Sequence, residues 1–524
     1  MLPVSDRLSS PEHHHKKTAA AAAATAPSKE LLLHNRKTSF GSLTGSPHSP
    51  YSFSLGQHRG GRTFLFLVFI SLQIVLFFSA RSLPFSLSSN HGNRRFSSAD
   101  ASTDALASSF AAAGLRASSK HDNCDSGRIY VYELPNFFNT EILDQCDNLN
   151  PWSSSCESLV SKGFGPPAKH VAGIVPKGLV PAWFRTDQFV TEVIFHNRIM
   201  KHKCRTMEPG SAAAFYIPFY AGLAVGKYLW LNHSAEDRDR HCRMMLDWLK
   251  EQEYYRNSSG WNHFVTMGRI TWDFRRSRNE DWGSSCIYMG GMRNITRLLI
   301  ERNPWDYFDV GVPYPTGFHP RSDSDVVAWQ DFVRTRQRDT LFCFAGGTRS
   351  KIKNDFRGLL LDQCRNASEA CQAVNCAAGR CSNDTLAVLR TFLGSKFCLQ
   401  PRGDSFTRRS LFDCMVAGSI PVLFWRRSAY YQYEWFLPSE TDSYSVFIDR
   451  NEVKAGNKSI KEVLEGYSDE DVRRMREKVI EYIPRLVYAL PEQGLESTKD
   501  AFDIAIEGVM RRFREQEDWE YKWR

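Results

Sequence analysis

The chain has 524 residues, 42% of them hydrophobic, with 67 Lys and Arg against 58 Asp and Glu. That size leaves room for two or three domains once tails are set aside, and the apolar share is that of a well-cored globular protein. The net charge of +9 is front-loaded: residues 1–62 hold eight Lys/Arg against three acids. The remainder lacks the concentrated basic face of a nucleic-acid binder, and no nucleic acid is expected as a partner.

Residues 1–62 are rich in Ala, Ser, His and Pro and read as a disordered cytosolic tail. Residues 63–80, TFLFLVFISLQIVLFFSA, carry no charge and lie between Arg62 and Arg81. As a helix they reach about 27 Å, enough for a thin bilayer. Low-complexity sequence on both sides offers nothing to bury such a helix against, and the run starts too late and is too long for a cleaved signal peptide. It reads as a single-pass signal anchor with the Lys/Arg-rich side in the cytosol, a type II arrangement. A short span favours the thin membranes of the early secretory route, and the Golgi is the expected location.

The cysteines and sequons agree. All 13 Cys follow residue 120, and Asn-X-Ser/Thr sequons begin at Asn232, Asn257, Asn294, Asn366, Asn383 and Asn457, all beyond the anchor. This placement fits an oxidising, glycosylating lumen. Cys364, Cys371, Cys376 and Cys381 lack the CxxC spacing of common zinc sites and are expected to form disulfides around a loop insertion. The odd total leaves at least one thiol outside intramolecular pairs. Residues 81–126, rich in Ser and Ala, form a lumenal stem.

Order begins at the alternating run Arg128-Ile129-Tyr130-Val131-Tyr132. Residues 127–335 then mix strand-like runs (213–218, 263–267) with helical ones (187–200, 236–251), and form a first Rossmann-like lobe. A strand at 341–345, LFCFA, opens a second lobe over 336–485, and 486–524 is a C-terminal helical segment. Strands alternating with helices in two halves predict an α/β protein of two doubly wound lobes with a seam near 320–340.

Polar chemistry gathers where second-lobe strands end. Gly346, Gly347 and Arg349 follow the 341–345 run. A second group, Arg402, Gly403, Ser405, Thr407, Arg408 and Arg409, follows the run at 397–399 and opens a helix. This is the sheet edge where phosphorylated ligands bind, and guanidinium groups suit a diphosphate. Asp413, one turn into the helix, is placed to bond a ribose hydroxyl. Neither GxxxxGK[ST], GxGxxG after the first strand, nor GxSxG is present, so ATP hydrolysis, dinucleotide redox and α/β-hydrolase chemistry lack support. The triplets Asp237-Arg238-Asp239 and Asp323-Ser324-Asp325 have the D-x-D spacing of some metal-dependent sugar transferases, but both lie in polar runs where it arises by chance. In the first lobe, Asp273 and His263 are of the types that remove a hydroxyl proton, with His319 a third candidate near the seam. The alternatives are a satisfied core histidine, and an Asp273 that serves as a cap or ion-pair partner of Arg275 or Arg276.

The chain resembles the exostosin-like glycosyltransferases (family 47) of plant cell walls, and within them the xyloglucan galactosyltransferase branch. The resemblance rests on GRIYVYELPNFFN (127–139), FYIPFYAGL (215–223), GRITWDFRR (268–276), VPYPTGFHP (312–320) and FCLQPRGDSFTRRSLFDCMVAGSIPV (397–422). It implies a GT-B fold in a Golgi type II membrane glycoprotein. It also implies inverting transfer of galactose from UDP-galactose to xylosyl side chains of xyloglucan. The implied partners are a UDP-sugar, the xyloglucan acceptor and other Golgi xyloglucan-synthesising enzymes. No tightly bound cofactor is implied, and divalent-metal dependence stays open. Two alternatives remain: transfer of galacturonic acid or arabinose to the same side chains, and a non-catalytic Golgi partner. Wider family members often read G-D-T-P-S-S-A-R-L-F-D; here Ser410 stands at the expected Arg, with Arg408 and Arg409 shifted toward the turn.

Overall fold

A computed structural model of the chain describes residues 124–349, 355–377, 381 and 385–523. The expected tail, anchor, most of the stem and the Asn383 sequon lie outside these residues. Among the described residues no helix is long and apolar enough to cross a membrane.

The first sheet has six strands: β1 (Arg128–Val131), β2 (Arg205–Thr206), β3 (Ala212–Ile217), β4 (His263–Ile270), β5 (Thr296–Glu301) and β6 (Asp309–Gly311). Their order is β2-β1-β3-β4-β5-β6, and every pairing is parallel. The second sheet has β7 (Thr340–Gly346), β8 (Cys371–Asn375), β9 (Ser395–Gln400), β10 (Ile420–Leu423) and β11 (Val446–Phe447) in the order β11-β10-β9-β7-β8, again all parallel. Parallel strands need crossover connections, and the helices that supply them cover both faces of each sheet. That is why β5 is buried at every position and why the central strands read as apolar runs rather than alternating ones. The α/β expectation, with parallel sheets in two halves, holds.

Two long-range returns tie the halves together. The helix Asp323–Thr335 follows the first sheet in sequence but buries Trp329 in the second lobe, where its indole N–H donates to the Val416 carbonyl at 2.8 Å. The last helix, Ala501–Trp523, goes back to the first sheet and packs Phe513 against Phe264 of β4. Ahead of it, Asp500 forms an ion pair with Arg198 of the helix Thr191–Met200. Both side chains are sealed from solvent, and Arg198 also bonds Asp503 at 3.1 Å and lies over the Phe502 ring.

Six disulfides pair Cys124–Cys204, Cys146–Cys156, Cys242–Cys286, Cys364–Cys371, Cys376–Cys381 and Cys398–Cys414. The four clustered cysteines are therefore disulfides, as expected. Cys343 is the free thiol, buried in β7. The sequons at Asn232, Asn257, Asn366 and Asn457 are exposed, whereas Asn294 is half-buried and its amide donates to the Ser259 carbonyl at 3.1 Å.

Removing one member of a buried ion pair strands the other charge. Arg198→Ala should cost about 3–5 kcal/mol in chemical denaturation of the folded part. A loss below about 1 kcal/mol would show that the C-terminal return is not held by this pair.

Candidate active site

In a parallel sheet all strands end on one edge, and the loops leaving that edge carry the side chains a ligand can meet. The first sheet presents Asp273 after β4 and Glu301 at the end of β5; the second presents residues 346–349 after β7 and 401–409 after β9. The two edges face each other. Glu301 accepts hydrogen bonds from the Ser405 hydroxyl, from the Thr407 amide at 2.8 Å and from the Thr407 hydroxyl at 2.7 Å. Because the Thr407 proton goes to Glu301, the Tyr314 hydroxyl donates to the Thr407 oxygen at 2.9 Å. Arg409 reaches the Thr186 carbonyl, just ahead of the helix Thr191–Met200. Burial pushes the Glu301 carboxyl above its ordinary range, and the Ser405 and Thr407 bonds oppose that rise.

Three guanidinium groups gather between the ends of β7 and β9. Arg349 donates to the Gly403 carbonyl, Arg357 to the Arg402 carbonyl at 3.2 Å, and Arg408 to the Ala345 carbonyl at 3.0 Å. The exposed Asp404 carboxylate lies 3.8 Å from Arg349 and 3.9 Å from Arg357. Arg408 is pulled down to about 9, first by burial and then by the like charges of Arg357 and Arg349. Its buried Nη1 has no hydrogen-bond partner among the described residues. Crowding of this kind is relieved by an anion, and these groups suit a diphosphate. At the rim, Arg427 stacks on Phe406 at 3.8 Å and on the exposed Trp305 at 4.5 Å, while Arg402 lies over Trp425.

The structure sorts the residues expected at this edge. Gly346, Gly347, Arg349, Gly403 and Arg408 lie together between the two strand ends, with the Arg402 side chain at their rim. Ser405 does not point to a ligand, because its hydroxyl is spent on Glu301. Arg409 turns away from the arginine group and pairs with Asp413 at 3.3 Å, so both are committed to each other and to the seam rather than to diphosphate and ribose. The Ser410 hydroxyl donates to the Gln400 side-chain carbonyl at 2.9 Å.

Of the two expected bases, only Asp273 lies at the carboxyl edge. Its oxygens take the Trp282 indole N–H at 2.8 Å and Arg269 at 3.4 Å, so its ion-pair partner is Arg269 rather than Arg275 or Arg276. His263 is a correction. It starts β4, at the opposite edge, is fully buried, stacks on Phe215, and has Nε2 on the Tyr132 hydroxyl at 2.7 Å and Nδ1 by Asn262 at 2.9 Å. Burial alone drives its pKa down to about 3. It is a satisfied core histidine. His319 is likewise buried, between Thr186 at 2.8 Å and the Tyr488 carbonyl at 2.7 Å.

The D-x-D triplets are structural. Asp237 completes the cap of the helix Ala235–Lys250 with Ser234, while Asp239 is buried against Arg276, Ser284 and Ser285. Asp323 accepts three backbone N–H groups from residues 496–498, and Asp325 pairs with Arg321 at 2.7 Å. The cluster Cys146, Asp147 and Cys156 contains a disulfide, which leaves no thiolate ligands there.

Sequence reasoning missed Glu301, Arg357 and Glu192. Glu192 is fully buried and accepts the amides of Gly222, of Leu223 at 3.2 Å and of Gly268 at 2.9 Å. A Cβ on Gly222 or Gly268 would sit about 3 Å from the Glu192 side chain, so the glycines of FYIPFYAGL and GRITWDFRR are there to admit this carboxyl. It pins the start of the helix Ala221–Gly226, just after β3, and the C-terminal half of β4 to one helix.

The exostosin GT47 domain profile matches residues 123–464. The chain belongs to the exostosin GT47 family. Xyloglucan galactosyltransferase XLT2 of Arabidopsis thaliana is 61% identical over 100% of both chains. Xyloglucan galactosyltransferase MUR3 of the same plant is 42% identical over 75% of this chain and 63% of that protein. Its xyloglucan-specific galacturonosyltransferase 1 is 38% identical over 75% of this chain and 58% of that protein. Among solved structures, LpCGTa in complex with UDP is similar at 10% identity and a TM-score of 0.27, over 62% of this chain and 81% of that one.

Within this GT47 chain, burial lifts the Glu192 carboxyl from an ordinary 4.5 up to about 7, against the pull of its three backbone donors and Arg269. A raised folded pKa binds protons in the native state that the unfolded chain has released. The stability contribution is therefore intact below the unfolded pKa and is lost as pH rises through the folded one, by about 3 kcal/mol in all. Compared with Glu192→Gln, the wild type should lose ground in thermal melts between pH 5 and pH 8. A gap that does not change with pH would contradict this.

Proposed function

We propose that this chain transfers galactose from UDP-galactose to xylosyl side chains of xyloglucan, with inversion, in the Golgi lumen on a GT-B scaffold. The carrying observation is its 61% identity to xyloglucan galactosyltransferase XLT2 over the full length of both chains. The facing carboxyl edges and their arginine group are the geometry such a reaction uses. The donor diphosphate would sit at Arg349, Arg357 and Arg408, where negative charge grows as UDP leaves. Asp273 would take the proton of the acceptor hydroxyl as its oxygen bonds to the anomeric carbon. The bond from that carbon to the diphosphate breaks, and UDP departs with the electron pair. Inversion requires the acceptor oxygen to reach the anomeric carbon on the face opposite the departing diphosphate. The apolar span at 63–80 between Arg62 and Arg81 supports type II anchoring.

Galacturonic acid is the competing donor sugar, since a galacturonosyltransferase is also a relative, at lower identity. A panel of UDP-sugars offered with defined xyloglucan oligosaccharides, with product mapping by mass spectrometry, decides between them. Galactose on xylose is the expected product; a uronate product, or none, would sink this reading. In the same assay Arg408→Met should lower kcat/KM about 100-fold or more, and Asp273→Asn should lower kcat by about 100-fold. Near-normal transfer by Asp273→Asn would remove it as the base.

A further inference from the structure

Three indoles run outward from Asp273. Trp282 donates its N–H to the Asp273 carboxylate at 2.8 Å. Its ring packs against Trp230 with centroids 5.0 Å apart, and Trp230 packs against Trp152 at 4.8 Å. The first two are half-buried against the first-lobe core, but Trp152 is 45% exposed. Hydrophobic burial does not explain holding a large indole in water. Yet Trp152 is held: it lies on a loop closed by the Cys146–Cys156 disulfide, with its amide on the Asn150 side chain at 3.1 Å and Asn150 in turn on Ser153. Fixing an exposed aromatic in advance lowers the entropy lost when a ligand stacks on it.

The neighbouring surface has the same character. A cleft of about 270 Å³ is lined by Phe137, Leu149, Lys227, Tyr228, His241 and Met244, with Phe137 and His241 stacked at 4.6 Å. Leu149 and Tyr228 of the cleft precede Trp152 and Trp230 by three residues and two, so the same two segments supply both. Exposed apolar surface mixed with a few polar groups marks a ligand groove. A glucan chain presents apolar C–H faces to either side of each ring and hydroxyls at the edges, which fits indole faces bordered by such groups.

We propose that Trp152, Trp230 and Trp282 form a stacking track that leads the β-glucan backbone of the acceptor to Asp273. The inference rests on the xyloglucan reading above. It assigns the acceptor's main chain, distant from the reacting xylose, to a surface of the first lobe with no part in donor binding.

The test compares wild-type lumenal protein with Trp152→Ala, Trp152→Tyr and a Cys146→Ala/Cys156→Ala double variant, each checked for folding by thermal melting. Initial rates of galactosyl transfer to xyloglucan polymer are measured alongside retardation in gels containing soluble xyloglucan. Trp152→Ala should raise the acceptor KM about tenfold while the UDP-galactose KM and kcat move less than about twofold. Trp152→Tyr should recover most of the loss, and the double variant should resemble Trp152→Ala. A folded Trp152→Ala protein with wild-type acceptor KM and wild-type gel retardation would overturn the track. The gel needs no turnover. If wild type binds xyloglucan through Trp152 but transfers no galactose, the donor reading fails and the track stands.

Discussion

The site depends on one carboxylate. Glu301 ends a strand of the first sheet, yet its side-chain hydrogen bonds among the described residues come from Ser405 and Thr407, in the loop that leaves the second. A buried carboxylate without donors is costly, and these donors lie more than a hundred residues away in sequence. Burying Glu301 therefore brings the two carboxyl edges face to face. Tyr314 adds its proton to the same chain of bonds, and Arg409 crosses to Thr186 beside it. Loosening this contact would separate the arginines from the lobe that holds Asp273.

Around that contact the charges divide by role. Arg409 and Asp413 neutralise each other at the seam, and Arg198 with Asp500 does so at the C-terminal return. Arg349, Arg357 and Arg408 instead gather so closely that like charge adds to burial in lowering Arg408, a cost that a bound anion would offset. On the other side of the seam, Glu192 ties the start of the helix after β3 to the C-terminal half of β4, the strand that leads into the turn carrying Asp273.

The two α/β halves could be read from the sequence because parallel strands are buried on both faces and leave continuous apolar runs between helical stretches. The arginine group was legible for a similar reason, since turn residues and guanidinium groups stood together after two such runs. What escaped was contact over long sequence distance. Glu301 sits in RLLIE with no motif around it, and its purpose appears only when Ser405 and Thr407 arrive from the other lobe. For the same reason Ser405 and Asp413 read as ligand groups although each had a protein partner. His263 misled because residue type carries no information about which end of a strand faces the site. The glycines of FYIPFYAGL and GRITWDFRR were visible as motifs, but their reason, the Glu192 carboxyl, lay in a helix elsewhere.

On the reading proposed here, the nucleotide-sugar donor binds at the seam between the two carboxyl edges. Hydrogen–deuterium exchange of the folded part, with and without saturating UDP-galactose, is the decisive measurement. Slowed exchange on binding is expected in residues 346–349 and 402–409, together with the Glu301 end of β5. Binding that leaves those three segments unchanged and protects a different surface would contradict it.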